Sequence, residues 1–379
     1  MNMPDLFSFR SPLKIQAGKR ALENIPMELA GRNARKPLIL CSARGGGAAE
    51  KLATAFGDSG LSIVLWENVP AEPDLTMIRD LWRLYRDRGC DAIIALGGGP
   101  TADAAKSLNI AVSGRPEDME RVAGGAAPPG PLRPFLYCPT TPGDGRETSR
   151  FARLERLAFS SMALVPDLAV IDPRILREGP AGAVTAAVVR ALATAVEACL
   201  GPAHNPLTDV YASVAIRLLT ENAAGKRKRS DLLPPVANAL CLSGIVLSNV
   251  ARGPATVLAE AMAKTAGIPE ATALAILLPH TAALTAKENP PAAKMLLSCL
   301  AGAFPQTPPG ERTAQIGPAI ARLIREFAGK KHSPPDSFAA TGLRKEVLAE
   351  AARYAACDGT GIGHAEGMEI LSRAWAEVP

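Results

Sequence analysis

The chain is poor in the residues that would narrow its function at once. Only 4% of its 379 residues are aromatic, it has four histidines, and its net charge is a mild +5. Proteins that bind nucleic acid usually cluster basic and aromatic residues, so this composition argues against such a partner. The one basic run, residues 226–229, follows a glycine and precedes Ser230, and we interpret it as a solvated loop between helices.

Disulfides, zinc clusters and membrane spans are also not indicated. The seven cysteines are scattered and contain no Cys-x-x-Cys pair, which favours reduced and mostly buried thiols. No apolar run reaches the roughly 18 residues needed to cross a bilayer. The N-terminus lacks the basic region and apolar core of a secretory signal. We therefore expect a cytoplasmic protein with no membrane partner.

A glycine turn stands out in Asp91–Lys106, which reads D-A-I-I-A-L-G-G-G-P-T-A-D-A-A-K. An apolar run predicts a short buried strand before the turn, and helical spacing resumes after it. Gly97, Gly98 and Gly99 allow close approach of a ligand to the backbone, and the helix behind them offers free N–H groups and a positive dipole end. A pyrophosphate fits this chemistry, and three glycines alone fit an ordinary strand-to-helix turn equally well.

Two kinds of periodicity divide the chain. Up to about residue 171, apolar runs alternate with helical stretches, which predicts a doubly wound parallel sheet with ligands at the carboxyl ends of its strands. From about residue 180, Ala, Leu and charged residues recur at helical spacing, which predicts an all-helical domain. We place the domains at 1–178 and 179–379 and expect a small-molecule substrate in the cleft between them.

The same patterns predict individual elements. Pro26 predicts a kink or an early end in a helix that starts near Lys19. Strands are predicted at Leu13–Gln16, Pro37–Cys41, Ser62–Leu65, Ala92–Leu96, Phe135–Cys138 and Leu168–Ile171. Helices of the second domain are predicted at Ala183–Cys199, Pro206–Asn222, Leu233–Asn249, Ala255–Ala266, Thr272–Leu284, Gln315–Phe327 and Arg344–Tyr354.

Five segments occur in a recognisable order. They read G-G-G-P-T-A-D-A-A-K (97–106), P-T-T-P-G-D-G-R-E (139–147), P-D-L-A-V-I-D-P (166–173), N-P-L-T-D (205–209) and A-I-L-L-P-H (275–280). Together they resemble the iron-dependent, or group III, alcohol dehydrogenase family over nearly the whole chain. The resemblance implies a Rossmann-like domain followed by an all-helical domain, the dehydroquinate synthase-like fold, and reversible NAD(P)-dependent carbonyl reduction.

The resemblance also implies a nucleotide site. Thr140 and Thr141 align with residues that contact the nicotinamide half, and Asp103 is expected beside the ring. Where family members that prefer NAD carry an aspartate after the second strand, this chain has Ala43 followed by Arg44. A guanidinium can pair with the 2′-phosphate that the aspartate would repel, so we expect NADP as the cofactor, with NAD possible.

The metal ligands of the family are replaced in this chain. The family holds its divalent ion with Asp-x3-His and His-x13-His, and these positions fall on Arg190, Thr194, Thr256 and Glu270. A further family histidine near the substrate falls on Glu260. Arginine does not ligate at neutral pH, threonine is a poor ligand and one carboxylate cannot hold iron or zinc in the usual geometry. We expect no metal, as in a divergent member loosely similar to maleylacetate reductase.

Loss of the metal removes the charge that polarises the substrate carbonyl in the family. Arg190 is the candidate substitute, with Glu260 and Glu270 orienting it or relaying protons; a salt bridge that only fills the vacated space is an equal alternative. Arg146, which replaces a family serine, is a candidate to hold an anionic substrate. His280 is a candidate acid or base, or a packing residue.

Two functions of different class follow. The first is a metal-independent NAD(P)-dependent oxidoreductase, of the alcohol dehydrogenase or carbonyl reductase type, acting on a small anionic carbonyl compound. The second is a catalytically silent or repurposed family member that binds nucleotide or a partner without turnover. The retained glycine turn favours the first function, and the simultaneous loss of the ligands favours the second. The resemblance also suggests a homodimer.

Overall fold

A computed structural model describes residues 6–42, 47–57, 59–177, 182–202, 204–223, 228–300, 309–329, 332–357 and 362–375. The described residues between 10 and 177 form one compact unit, and residues 6–9 with those from 182 to 375 form another. Phe9 joins the second unit, where its ring stacks on Tyr211 with centroids 5.7 Å apart. The predicted boundary at residue 178 and the predicted cleft stay predictions.

The first unit is built on a six-stranded parallel sheet, as predicted. The strands of the unit are β1 (Lys14–Ala17), β2 (Pro37–Ser42), β3 (Val64–Val69), β4 (Ala92–Gly97), β5 (Phe135–Pro139), β6 (Phe151–Leu154), β7 (Leu157–Ser160) and β8 (Leu168–Ile171). The sheet has the order β1-β8-β5-β4-β2-β3, with every pair parallel. Strands β4 and β5 lie at its centre and are buried along their whole length, which is why their sequences are continuously apolar.

Helices connect these strands, and one of them begins in the glycine turn. They are α1 (Ile25–Ala30), α2 (Ala48–Phe56), α3 (Leu75–Asp87), α4 (Gly99–Ser113) and α5 (Asp118–Ala123). Gly98 is the N-cap of α4, and Pro100 lies in its first turn, where the missing proline N–H costs nothing. Helix α4 is buried from Thr101 to Ala111 and packs on β4. The turn is therefore held by the core of the unit.

Two local predictions were wrong, and one hairpin was missed. Pro26 lies in the first turn of α1, because proline is tolerated at a helix start and not in its interior. Strand β3 occupies Val64–Val69 and not Ser62–Leu65, because its pairing with β2 starts at Val64. The antiparallel hairpin β6–β7 was not predicted; each of its strands has only four residues, too few for a clear periodicity.

The described part of the second unit contains helices and no strands, which confirms the predicted class. The helices are α6 (Ala183–Leu200), α7 (Pro206–Asn222), α8 (Arg229–Leu247), α9 (Pro254–Ala266), α10 (Glu270–Glu288), α11 (Pro290–Cys299), α12 (Ile316–Ala328), α13 (Val347–Cys357) and α14 (His364–Trp375). Two of these, α11 and α14, were not predicted. Helix α6 packs against α7, α8, α9 and α10, so it forms the centre of the core.

Two helices in the described part of the chain are long and apolar enough to cross a membrane by length and composition alone, although each is interrupted by at least one charged residue. They are Ala183–Leu200, with mean hydropathy 1.7, and Ser230–Leu247, with mean hydropathy 1.4. Within the unit, 72% and 56% of these windows are buried against other helices, which accounts for their apolar character. All seven cysteines are free thiols and only Cys357 is exposed, as predicted.

Candidate functional site

The glycine turn is fixed to the end of the neighbouring strand β5. The backbone N–H of Thr140 donates to the carbonyl oxygen of Gly97 at 3.0 Å, and the Tyr137 hydroxyl donates to the same oxygen at 3.3 Å. A Cβ on Gly97 would lie 2.3 Å from Oγ1 of Thr101, so no larger residue fits without movement. The loop that follows Thr140 is thereby held next to the turn, at the carboxyl ends of the strands.

Two side chains of that loop lie directly against the third glycine of the turn. A Cβ on Gly99 would lie 2.3 Å from Oδ2 of Asp144 and 3.2 Å from Nη1 of Arg146. The absence of a side chain at Gly99 therefore makes room for a carboxylate and a guanidinium of this chain.

Arg146 connects two carboxylates at this point. Its Nε donates to Oδ1 of Asp103 at 2.7 Å, and its Nη1 forms an ion pair with Asp144. Burial raises the pKa of Asp103, and the charge of Arg146 opposes that rise. Burial alone would lower the pKa of Arg146, but Asp144 and Asp103 raise it, so the guanidinium is charged. The three side chains carry a net charge of about −1 when both carboxylates are ionised.

Lys106 lies fully buried next to this network. Its Nζ donates to the backbone carbonyl oxygens of Arg146, Ser149 and Phe151 at 3.0, 2.7 and 2.9 Å. Three acceptors match the three N–H groups of an ammonium. Burial lowers the pKa of Lys106 to about 7, against the opposing charge of Asp103. Lys106 thus anchors the loop that carries Arg146.

Glu147 is a second fully buried ionisable group in the same loop. Its carboxylate occupies the space against Gly143, where a Cβ would lie 1.5 Å from Oε1. Burial, and then the negative charge of Asp144, raise the pKa of Glu147 to about 8. Sequence reasoning gave no role to Lys106 or Glu147, although both belong to the segments that carry the family resemblance.

In the helical unit, the structure brings together Arg190 of α6 and Glu270, the first residue of α10. The distance from Nε of Arg190 to Oε1 of Glu270 is 3.8 Å, and each side chain is about one-third exposed. This is an ion pair without a hydrogen bond, because 3.8 Å exceeds hydrogen-bond distance. The guanidinium therefore keeps donors that can reach another group.

Thr256 makes its main contact with a residue that sequence reasoning missed. Its hydroxyl donates to Oε2 of Glu197 at 2.6 Å and its backbone N–H to Oε1 at 3.1 Å, while the N–H of Gly253 donates to Oε2 at 3.2 Å. Glu197 thereby caps the amino end of α9 from α6. Burial raises the pKa of Glu197, and its hydrogen bonds with Thr256 oppose that rise. The available signal was its place seven residues after Arg190, on the same face of α6.

The other two candidates have surroundings of their own. Nη1 of Arg252 contacts Oε2 of Glu260 at 2.5 Å, so Glu260 has a different arginine as its partner. His280 is half-buried in α10, and in the described part of the chain its Nε2 has no hydrogen-bond partner. Burial and then the charge of Arg373 lower the pKa of His280, so its imidazole is neutral at pH 7.

The residues at the family metal site do not fit a transition metal. They offer a guanidinium, two hydroxyls and one carboxylate, and the carboxylate of Glu270 already faces Arg190. Across the ranges that the structure describes, no group of three or more His, Cys, Asp or Glu side chains could hold an ion. Arg44, the candidate for a 2′-phosphate, lies outside the described residues, so its role stays a prediction.

Comparison with known proteins covers both units. The model of the iron-containing alcohol dehydrogenase family matches residues 12–173, and that of the Fe-containing alcohol dehydrogenase family, C-terminal, matches residues 184–369. A 1,3-propanediol dehydrogenase from Citrobacter freundii is 30% identical over 253 residues, which span 64% of this chain and 65% of that protein. The NADPH-dependent butanol dehydrogenase of Clostridium saccharobutylicum is 27% identical and 75% of each chain is covered.

A solved structure agrees on the fold. The crystal structure of a 1,3-propanediol oxidoreductase superposes with a TM-score of 0.85 at 24% identity, covering 98% of this chain and 100% of that one. Its sheet-plus-helix architecture is the one described above. On these matches, this chain belongs to the iron-containing alcohol dehydrogenase family, whose members are NAD(P)-dependent oxidoreductases of the alcohol dehydrogenase type.

Proposed function

We propose that this protein is a metal-independent NAD(P)-dependent oxidoreductase that interconverts an alcohol and a small, anionic carbonyl compound. The observation that carries the proposal is the Arg190–Glu270 pair at two former ligand positions. A fixed cation there can stabilise the oxygen that gains negative charge during hydride transfer, which is the task the family assigns to its metal.

Arg190 is suited to this role by its surroundings. It is one-third exposed, its ion pair at 3.8 Å leaves donors unused, and a guanidinium stays charged throughout the pH range of an enzyme. Glu270 holds one side of the guanidinium and leaves the planar fork able to bind an alkoxide or a carboxylate. An anionic substrate would gain from the same charge, which is why we propose that class.

The nucleotide would be held by the first unit. Backbone N–H groups at the start of α4, together with Thr140 and Thr141, would contact its phosphates and its nicotinamide half. Bound nicotinamide would supply or accept the hydride. We propose NADP as the preferred cofactor, because Arg44 replaces the aspartate of members that prefer NAD.

The name of one relative supports an anionic substrate. A 4-hydroxybutyrate dehydrogenase from Cupriavidus necator is 32% identical over 185 residues, which span 46% of this chain and 48% of that protein. Its substrate name denotes a carboxylate. We propose a carboxylated or similarly charged aldehyde or ketone as the compound that this protein reduces.

One experiment separates this proposal from loss of activity. The purified protein is screened with NADPH and NADH against charged and neutral aldehydes and keto acids, with and without a chelator, while elemental analysis counts iron, zinc and nickel. We expect turnover that survives chelation, and less than one ion per chain. One tightly held ion per chain that is lost in Glu270→Gln would contradict metal independence.

A repurposed binding protein is the second candidate. It is favoured by the side chains of Asp144 and Arg146, which lie on the glycine turn where a nucleotide would bind. If the protein binds NADPH but turns over none of the compounds in the screen, it is a binding protein and not a reductase.

We further propose a cytoplasmic homodimer. The free thiols of the described cysteines suit a reducing compartment, and the homodimer follows from the family resemblance alone. Light scattering on the purified protein tests the dimer, which a monomeric mass at micromolar concentration would exclude.

A further inference from the structure

We propose that Asp144 is a built-in competitor for the nucleotide: its carboxylate lies where the pyrophosphate would approach the glycine turn, and Asp144 with Arg146 sets how tightly this turn binds a dinucleotide. This inference rests on the proposed function, because it concerns the same nucleotide site.

The Asp144 carboxylate lies against Gly99, at the start of α4. Oδ2 of Asp144 lies 2.3 Å from the position that a Gly99 Cβ would have, so the carboxylate touches the backbone of the first residue of α4. The N-cap, Gly98, has no side chain to cap the helix. An anion is the group that a helix start attracts, and here the protein supplies its own.

The positive charge next to Gly99 is already paired. Arg146 is the cation nearest to Gly99, and it is held on one side by Asp103 and on the other by Asp144. Because two carboxylates already compensate its positive charge, this guanidinium attracts a phosphate only weakly. A pyrophosphate that reaches the turn would meet a like charge on Asp144 and would have to displace it.

Asp144 and Arg146 are both departures from the sequence of the family's loop. The loop resembles the family's P-T-T-x-G-T-G-S-E, so Asp144 stands for a threonine and Arg146 for a serine. The two substitutions introduce opposite charges that pair with each other. Without Asp144, Nη1 of Arg146 would be free to bind a phosphate oxygen, while Nε would stay on Asp103.

Titration of the full-length protein with NADH and NADPH tests this inference. We compare wild type with Asp144→Asn, Asp144→Thr and the double variant Asp144→Thr with Arg146→Ser. The matched control is Asp80→Asn, which removes an exposed, ion-paired carboxylate from α3 of the same unit. Melting curves show that each variant is folded, and the threonine variant serves if the asparagine variant is not.

We expect Asp144→Asn and Asp144→Thr to bind both nucleotides about tenfold or more tightly than wild type, the scale of removing a like charge a few ångströms away. The gain should shrink as salt is added, because part of it is electrostatic. Asp80→Asn should bind like wild type.

The possible failures differ from one another. If wild type binds nucleotide and the Asp144 variants bind no more tightly, or if Asp80→Asn gives the same gain, Asp144 is not a competitor and the proposed function is untouched. If even the double variant, with the family's small side chains restored, binds no nucleotide, both the inference and the proposed cofactor site are overturned.

Discussion

The Thr256 hydroxyl donates a hydrogen bond of 2.6 Å to Glu197, and this contact joins α9 to α6 at a position that the family resemblance assigns to a metal ligand. A metal bound by side chains of several helices would cross-link them. In this chain, Glu197 with Thr256 links α6 to α9, and Arg190 with Glu270 links α6 to α10. We therefore expect these polar contacts to hold the helices together at the positions where the family resemblance places its metal ligands.

Glu197 should matter for stability. Glu197→Ala removes acceptors from the N–H groups of Gly253 and Thr256 and leaves the start of α9 without its cap. We expect a loss of about 1–3 kcal/mol in the free energy of unfolding, and a smaller loss for Glu197→Gln, which keeps one acceptor. Urea unfolding measures both. Glu221→Ala, at an exposed site on α7, is the control, and an equal effect there would contradict the assignment.

Arg190 should matter for turnover rather than for the cofactor. If it stabilises the substrate oxygen, Arg190→Met should lower kcat by about 10²–10³, the range for loss of one oxyanion-stabilising donor. Nucleotide affinity should barely change, because the proposed role of Arg190 is to stabilise the substrate oxygen and not to hold the nucleotide. Arg217→Met, which alters an exposed ion pair on α7, is the matched control. If turnover is unchanged in Arg190→Met, Arg190 has only a structural role in its ion pair with Glu270.

Arg44 should distinguish the two cofactors. Arg44→Ala is expected to weaken NADPH binding by about 1.5–3 kcal/mol, the scale of a hydrogen bond to a charged group, and to leave NADH binding nearly unchanged. Titrations of the two nucleotides against the same preparation measure the difference. An equal loss of affinity for NADPH and NADH would mean that Arg44 contacts a group that both nucleotides contain, such as the pyrophosphate.

Nucleotide affinity should fall as pH rises from about 6.5 to 9. Lys106 loses its positive charge as pH passes its pKa of about 7, and Glu147 gains a negative charge as pH passes its pKa of about 8. Both changes make the region near the turn more negative as pH rises, and a more negative region repels the phosphates of a nucleotide. NADH titrations at several pH values measure the trend. In Glu147→Gln, the fall in NADH affinity near pH 8 should be smaller than in wild type. An NADH affinity that rises with pH would contradict this prediction.

Local rules let the sequence determine much of this protein. An apolar run, three glycines and a proline at the next helix start are enough to place β4, the turn and α4, because these preferences act within a few residues. The segments with family resemblance predict that this turn binds a nucleotide and that the ligand positions are substituted, and both stay predictions. The same rules failed for the β6–β7 hairpin and for Pro26, where short length and helix position decide the outcome.

Only the tertiary structure decided which side chains meet. Arg146 and Asp103 are 43 residues apart in the chain, and Glu197 and Thr256 are 59 apart, so no local pattern pairs them. Sequence reasoning proposed Arg146 as an anion holder and Glu260 as a residue that orients Arg190 or relays protons. It did not predict that Arg146 lies against Gly99 or that Glu260 pairs with Arg252. Charged side chains in a folded protein take the partner that packing brings within reach, because burying a charge without a partner is costly.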